Sequence, residues 1–275
     1  MKIKKEYEYS NRRQIWRLIP TDSGKIIIED RNVETKEAFF NCLDIYTGKK
    51  KFSNLQLDEK YWIGIETIYK DTIFFHKSLK PDMPGHIGII AYDTITQKVL
   101  WNTEEFIFLF ILENKLYGYR QMFEGRKFYT LDYRNGEMIE ELGEDASSVN
   151  MLREEAISRQ NYEGYFFPEY FDSNADINDS NKILLEEFYE SNFITGKIEF
   201  VNLENLLLLS YHKPTDGNSL ENKFAAIDIL SKKTIFEVTL NARVNAFVPD
   251  SFFVKDELIF LLIEKEKLLV CSLKE

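Results

Sequence analysis

Catalytic signatures are the first thing this sequence lacks. It has no nucleophile elbow, no phosphate-binding P-loop, no dinucleotide fingerprint and no HExxH helix. Those are the patterns that identify serine hydrolases, nucleotide-dependent enzymes and zinc proteases. Cysteine is nearly as scarce, with only Cys42 and Cys271, each inside an apolar strand-like run. Two isolated thiols without metal-type spacing read as small buried hydrophobes in a reducing compartment. Long apolar runs are missing too: Phe106–Leu112 and Leu258–Ile263 are the longest, about a third of a membrane span. The opening MKIKKEYEYSNRR has the positive start of a signal peptide with no apolar stretch behind it. A soluble, cytoplasmic protein with no membrane partner is expected. Basic runs are confined to Lys2–Lys5 and Lys49–Lys51, and the net charge is −11. That balance opposes binding to a phosphate backbone, so no nucleic-acid partner is expected.

Aromatic residues are abundant, with 22 Phe and 15 Tyr in 275 residues, a supply that suits pleated strands. One phrase repeats: CLDIYTGKKKF around Asp44, IAYDTITQKVLW around Asp93, YTLDYRNGEMIE around Asp132 and AAIDILSKKTIF around Asp228. Apolar residues lead into each aspartate, a turn follows, and a second short apolar run begins. Recurrence at a fixed period is the mark of blades. Gly48 and Gly136 supply positive φ in two of the turns, and Gln97 and Lys232 replace them in the other two, which predicts strain or another turn type there.

The spacing predicts an all-β chain, a single β-propeller domain over residues 1–275. Its first blade runs from Gln14 to Phe52, its second from Tyr61 to Asn102 and its third from Phe106 to Leu142. The fourth runs from Lys197 to Leu240, and the last, Phe247–Leu273, stops one strand short. Ile3–Tyr9 is expected to supply that strand and close the ring. The gap of 96 residues between Asp132 and Asp228, against 49 and 39 for the other two, admits a sixth, decayed blade. The adopted reading is five blades with a small helical insertion at residues 144–192, between the third and fourth, its first helix capped by Ser147 or Ser148.

The strand–Asp–turn–Gly-Lys phrase resembles the repeats of the quinoprotein, or PQQ-like, propeller superfamily. IWRLIP, LDIYTGK, KYWIGIE and PDMPGHIGIIAYDTITQKVLW, in that order, resemble an uncharacterised bacterial domain-of-unknown-function family (number 4905). The first resemblance implies a propeller fold; the second implies no chemistry. Quinoprotein enzymes often carry adjacent cysteines and a calcium-held quinone. This chain has no paired cysteines, and no cofactor is expected.

Candidate ligand-binding residues are few. His76 and His212 each leave the second strand of a blade, in FFHKSLKPD and SYHKPTDG, and His86 follows His76 after ten residues. If the His76 loop folds back, His76, His86 and Asp82 could meet at one rim of the ring, where imidazoles and a carboxylate suit proton transfer or a metal; the competing reading is that each hairpin satisfies its own backbone. Trp16 and Trp62 fall at matching places on predicted inner strands, as an aromatic wall for a ligand or as packing between blades. Arg17 and Glu66 share those strands, and Trp101 reads as structural. Asp176–Glu187 partly matches a calcium loop, against a solvated linker that caps a helix. No metal is assigned, and no catalytic residue is identified. The functional reading is a non-catalytic binding or protein-interaction module. A protein partner would dock on the insertion through Tyr165, Phe166, Phe167, Tyr170 and Phe171, and a small ligand is possible. The alternative is an enzyme with a histidine-containing site at one rim of the central channel.

Overall fold

Each repeated aspartate closes a turn with its own side chain. The structure is a computed structural model that describes residues 2–79, 85–171 and 179–274, the side chains of residues 179 and 180 excepted. Asp44 accepts hydrogen bonds from the Thr47 and Tyr46 amides at 3.0 and 3.3 Å, and Asp93 from Ile95 and Thr96 at 3.0 and 3.3 Å. Asp132 accepts from Arg134 and Asp228 from Ser231, both at 2.7 Å. Four places after each aspartate the backbone is left-handed, with φ +67° at Gly48, +56° at Gln97, +73° at Gly136 and +56° at Lys232. Loss of glycine therefore leaves the turn conformation unchanged. The aspartate bonds hold Gln97 and Lys232 in a region that side chains disfavour.

These turns join the last two strands of antiparallel meanders. Strand β1 (Lys2–Ser10) precedes the first, made of β2 (Gln14–Pro20), β3 (Lys25–Arg31), β4 (Ala38–Asp44) and β5 (Lys50–Leu55). The second comprises β6 (Ile63–Tyr69), β7 (Thr72–Ser78), β8 (His86–Asp93) and β9 (Lys98–Thr103). The third comprises β10 (Ile107–Leu112), β11 (Lys115–Met122), β12 (Gly125–Asp132) and β13 (Met138–Gly143). Helix α1 (Ala146–Ser158), strands β14 (Tyr165–Phe166) and β15 (Glu169–Tyr170), and helix α2 (Asp179–Ser191) follow. The fourth sheet is β15 beside β16 (Thr195–Leu203), β17 (Leu206–Pro214), β18 (Leu220–Asp228) and β19 (Lys233–Val244). The fifth contains β20 (Phe252–Lys255), β21 (Leu258–Ile263) and β22 (Lys267–Lys274), in the order β1-β22-β21-β20-β14. In it β1 runs antiparallel to β22, with Ile3 opposite Leu273 and Tyr9 opposite Leu268. The described residues thus form an all-β chain of five antiparallel sheets with two α-helices.

Two compact units divide the chain, Arg13–Asn161 and Met1–Arg12 with Tyr162–Glu275. In the first, Ile27, Phe40 and Cys42 of one sheet pack against Ile65, Ile73 and Phe75 of the next. Phe74, Ile89 and Ala91 on the opposite face meet Leu116, Tyr129 and Leu131, and α1 covers the far side of the third sheet through Val149. In the second unit α2 places Leu184, Leu185 and Phe188 on Leu207, Leu209 and Tyr211. The other face of that sheet packs Leu206, Leu208 and Phe224 on Phe252, Ile259 and Leu261. Second strands are therefore covered on both faces, and Thr72–His76 is buried without a break.

Three expectations need correction. The helix cap is Asp145, which accepts from the Ser147 amide at 2.9 Å; an aspartate outcompetes the serines because it stands one residue outside the first turn. The strand expected from Phe247 begins at Phe252, since Pro249 has no ladder donor and Asp250 has φ +53°. The aromatic run of the insertion is partly strand, β14 pairing with β20 and β15 with β16.

Of the four aspartate turns, the third shows what its glycine does. A Cβ on Gly136 would lie 2.7 Å from Cδ2 and Cε3 of Trp101, whose indole donates to the Tyr133 carbonyl at 3.0 Å. Gly136→Ala is expected to lower the unfolding free energy by about 1–3 kcal/mol. Urea denaturation measures this, and an unchanged midpoint would contradict the packing argument.

Candidate functional site

Three neighbouring strands of the second sheet bring one carboxylate and two imidazoles together. His76 ends the buried run of β7, and His86 opens β8 opposite Ser78. Glu66 occupies a bulge on β6, where the register passes from Ile65–Phe75 to Thr67–Phe74. A second bulge lies on β8: Phe75 faces Ile90 and Lys77 faces Ile87, so Gly88 and Ile89 together oppose His76, with Gly88 at φ +65°. Bulges re-aim side chains without ending the ladder. Opposite His76 on β6 stands Gly64, where a Cβ would come within 2.9 Å of imidazole Cε1 and 3.0 Å of Nε2. The missing side chain at 64 gives the His76 ring its space.

The geometry is tight. His86 Nδ1 lies 2.6 Å from Glu66 Oε1, and His76 Nδ1 lies 3.2 Å from the same oxygen. The carboxylate can only accept, so the His86 contact is an N–H donated to it. His76 Nδ1, although near, makes no hydrogen bond of acceptable direction and is buried without a partner. The two rings stack with centroids 3.5 Å apart and planes 6° from parallel. Side-chain exposure rises from 7% at His76 through 14% at Glu66 to 39% at His86, so the cluster opens to solvent on the His86 side. Burial pushes the Glu66 carboxyl up, but the adjacent His76 imidazole, followed by the charge and hydrogen bond of His86, outweighs it and holds the group below its usual range. One ligand atom from each residue falls within 4.8 Å of the other two, a spacing that one small cation or one polar ligand group can bridge.

The remaining expected site residues lie elsewhere. Arg17 donates through Nη1 to the carbonyl of Ile65, beside Glu66. Trp16 is exposed, with the Arg31 guanidinium 5.4 Å from its ring centre. Trp62 sits in the bend before β6 and donates its amide to Glu59 at 3.0 Å. Neither ring fills a core, and the two are not equivalent. Trp16 is the bulge residue of β2, so its counterpart on β6 is Glu66. Asp82 lies outside the described residues, as do Asp176 and Asn178 of the suspected calcium loop. The rest of that loop is helix from Asp179 onward, which the extended turn of a calcium loop does not permit.

His212 is not the counterpart of His76 either. His76 stands four residues beyond the partner of Asp93, Thr72, and His212 six beyond the partner of Asp228, Leu206. It belongs to the second unit, where Nε2 accepts from the Val248 amide at 3.0 Å and the ring meets Phe247 edge-on. Sequence reasoning missed the cleft beside it, of about 490 Å³, lined by Asn241, Phe247, Val248, Ser251, Leu262 and Lys265 among others. Val-Pro-Asp was its only signal, as a break in a strand.

Burial pushes the His212 imidazole below its usual value of about 6.5. The folded chain keeps this ring neutral while the unfolded chain takes up a proton. Stability present above the unfolded value is therefore lost as pH falls through the folded one. Urea midpoints should decline between pH 7 and pH 5, and His212→Gln should flatten that decline. An unchanged slope in the variant would contradict this account.

No curated protein matches this chain. Among solved structures it is similar to the uncharacterized protein lmo1340 from Listeria monocytogenes EGD-e, at 12% identity and a TM-score of 0.34, covering 91% of this chain and 75% of that one. It is similar to the Dos1 propeller at 11% identity and a TM-score of 0.32, over 94% of this chain and 67% of the other. A chain from a structural and mechanistic analysis of two prolyl endopeptidases matches at 8% identity and a TM-score of 0.38, over 96% of this chain and 50% of that one. Likeness at this level transfers no role to any residue here. Residues 19–101, a span that holds Glu66, His76 and His86, match the model of a family described as Domain of unknown function (DUF4905).

Proposed function

We propose that this chain is a non-catalytic binding module with its ligand site at Glu66, His76 and His86. The observation that carries this reading is the convergence of two imidazoles and one carboxylate around a buried ring nitrogen with no hydrogen-bond partner. Leaving such a nitrogen unsatisfied costs about 1–3 kcal/mol, a penalty that a ligand relieves. The proposal includes a propeller of five blades, of the quinoprotein-like kind, with β1 completing the last one. Meander sheets that stack face to face within each unit, and the β1–β22 ladder, support it. The cytoplasmic assignment is part of the same proposal. Two free cysteines support it, both buried, with thiols pushed up to about 11.

A second reading rests on the insertion. Phe166, Phe167 and Tyr170 are 43%, 51% and 50% exposed. Rings left this open are candidate anchors for a protein partner.

One experiment addresses both. The tagged full chain is recovered from its native cell extract and examined by native mass spectrometry, alongside a His76→Ala/His86→Ala variant and a Phe166→Ser/Phe167→Ser/Tyr170→Ser variant. The expected result is a small bound mass on the wild type that the histidine variant loses. A stoichiometric protein lost only by the aromatic variant would support the second reading. Identical spectra for wild type and histidine variant would overturn the ligand site, and recovery of a chemically converted molecule would replace the binding module with an enzyme.

A further inference from the structure

We infer that Glu66, His76 and His86 hold a divalent, late first-row transition-metal ion, a zinc-type site with an open position. The inference rests on the ligand-site reading above and names the ligand's class.

Donor chemistry comes first. Two imidazoles and one carboxylate suit zinc and its neighbours, whereas calcium and magnesium select all-oxygen sets. Distance comes second. Ligands about 2.0–2.2 Å from one tetrahedral ion stand about 3.3–3.6 Å from each other. The His76–Glu66 separation of 3.2 Å is close to that, the His86–Glu66 separation of 2.6 Å is a hydrogen bond that an ion would open, and all three donors fall within 4.8 Å. The two rings stack in parallel with centroids 3.5 Å apart, so ligation requires the half-buried His86 ring to turn out of that stack and bring its nitrogen toward an ion shared with His76.

His76 supplies the independent observation. Its side chain is more than nine-tenths buried, and its Nδ1 faces the Glu66 carboxylate without a hydrogen bond. A buried imidazole lone pair that faces a carboxylate is repelled by it, and a cation between the two atoms satisfies both. The scaffold is rigid where it must be. His76 is backed by Phe74 and Phe75, both fully buried, and Gly64 leaves no Cβ against the ring. Access is from the His86 side, the least buried of the three, which leaves room for water or a further ligand on the ion. Lys77, the residue after His76, is occupied by Glu104 at 2.8 Å. A net charge of −11 further favours cation capture.

The test uses the full chain, stripped with a chelator and titrated with zinc alone against a competing chelating dye. One zinc per chain is expected. Glu66→Gln and His86→Ala are each expected to weaken binding at least tenfold, with circular dichroism unchanged. His86 is at the surface, so its variant separates loss of the site from loss of the fold. Cobalt in place of zinc should give a visible spectrum that His86→Ala alters. Absence of one-to-one zinc binding, or full binding by His86→Ala, overturns the metal. If zinc fails while an organic mass still leaves with the histidines, the metal falls and the ligand site stands; if both fail, both readings fall.

Discussion

The register of three strands governs what this chain can do chemically. In a regular ladder Glu66 would face Phe74, and His86 would stand where strand alternation put it. The bulge at Glu66 and the bulge at Gly88–Ile89 change both positions. Together with the bare backbone at Gly64 they gather three polar side chains at the end of the apolar run Ile73–Phe75 of β7. A bulge leaves a residue unpaired and breaks the ladder locally, so two of them on the strands flanking β7 are a cost that the apolar packing around them has to offset.

That packing comes from the same sheet and from the sheets on either side of it. Phe75 meets Phe40 at 4.6 Å and Tyr92 at 6.5 Å on one face. Phe74 meets Trp101 and Phe108, each at 6.1 Å, on the other. His76 is the residue at which this doubly covered strand runs out of apolar partners, and the polar cluster begins there. The same logic places His212 at the end of the equally buried β17, but there a backbone amide satisfies the ring. Two histidines in similar surroundings thus differ in one respect: His212 is complete within its own unit, and His76 is not.

Much of the fold could be read from residue spacing because it rests on local chemistry. The four aspartates mark turns wherever they occur, since each bonds amides two or three residues ahead. The apolar runs of β3, β7 and β17 announce strands covered on both faces. The pairing of Ile3–Tyr9 with the last strand followed from a meander that lacked one member. The site was legible only in its residue types. His76 and His86 were expected to meet, but with Asp82 as their carboxylate, while Glu66 was grouped with Arg17 on the inner strands. Trp16 was matched to Trp62 and His76 to His212 by counting residues, and counting fails across a bulge because one strand gains a residue its partner does not have. Gly64 carried a usable signal, since a lone glycine inside a strand marks a close approach.

The most direct measurement is anomalous diffraction at the zinc edge from crystals of the full chain grown with zinc. The account predicts one strong peak bounded by a nitrogen of His76, a nitrogen of His86 and an oxygen of Glu66, each at about 2.0–2.2 Å. Zinc found only on surface carboxylates, with His76 and His86 stacked and unligated, would contradict it.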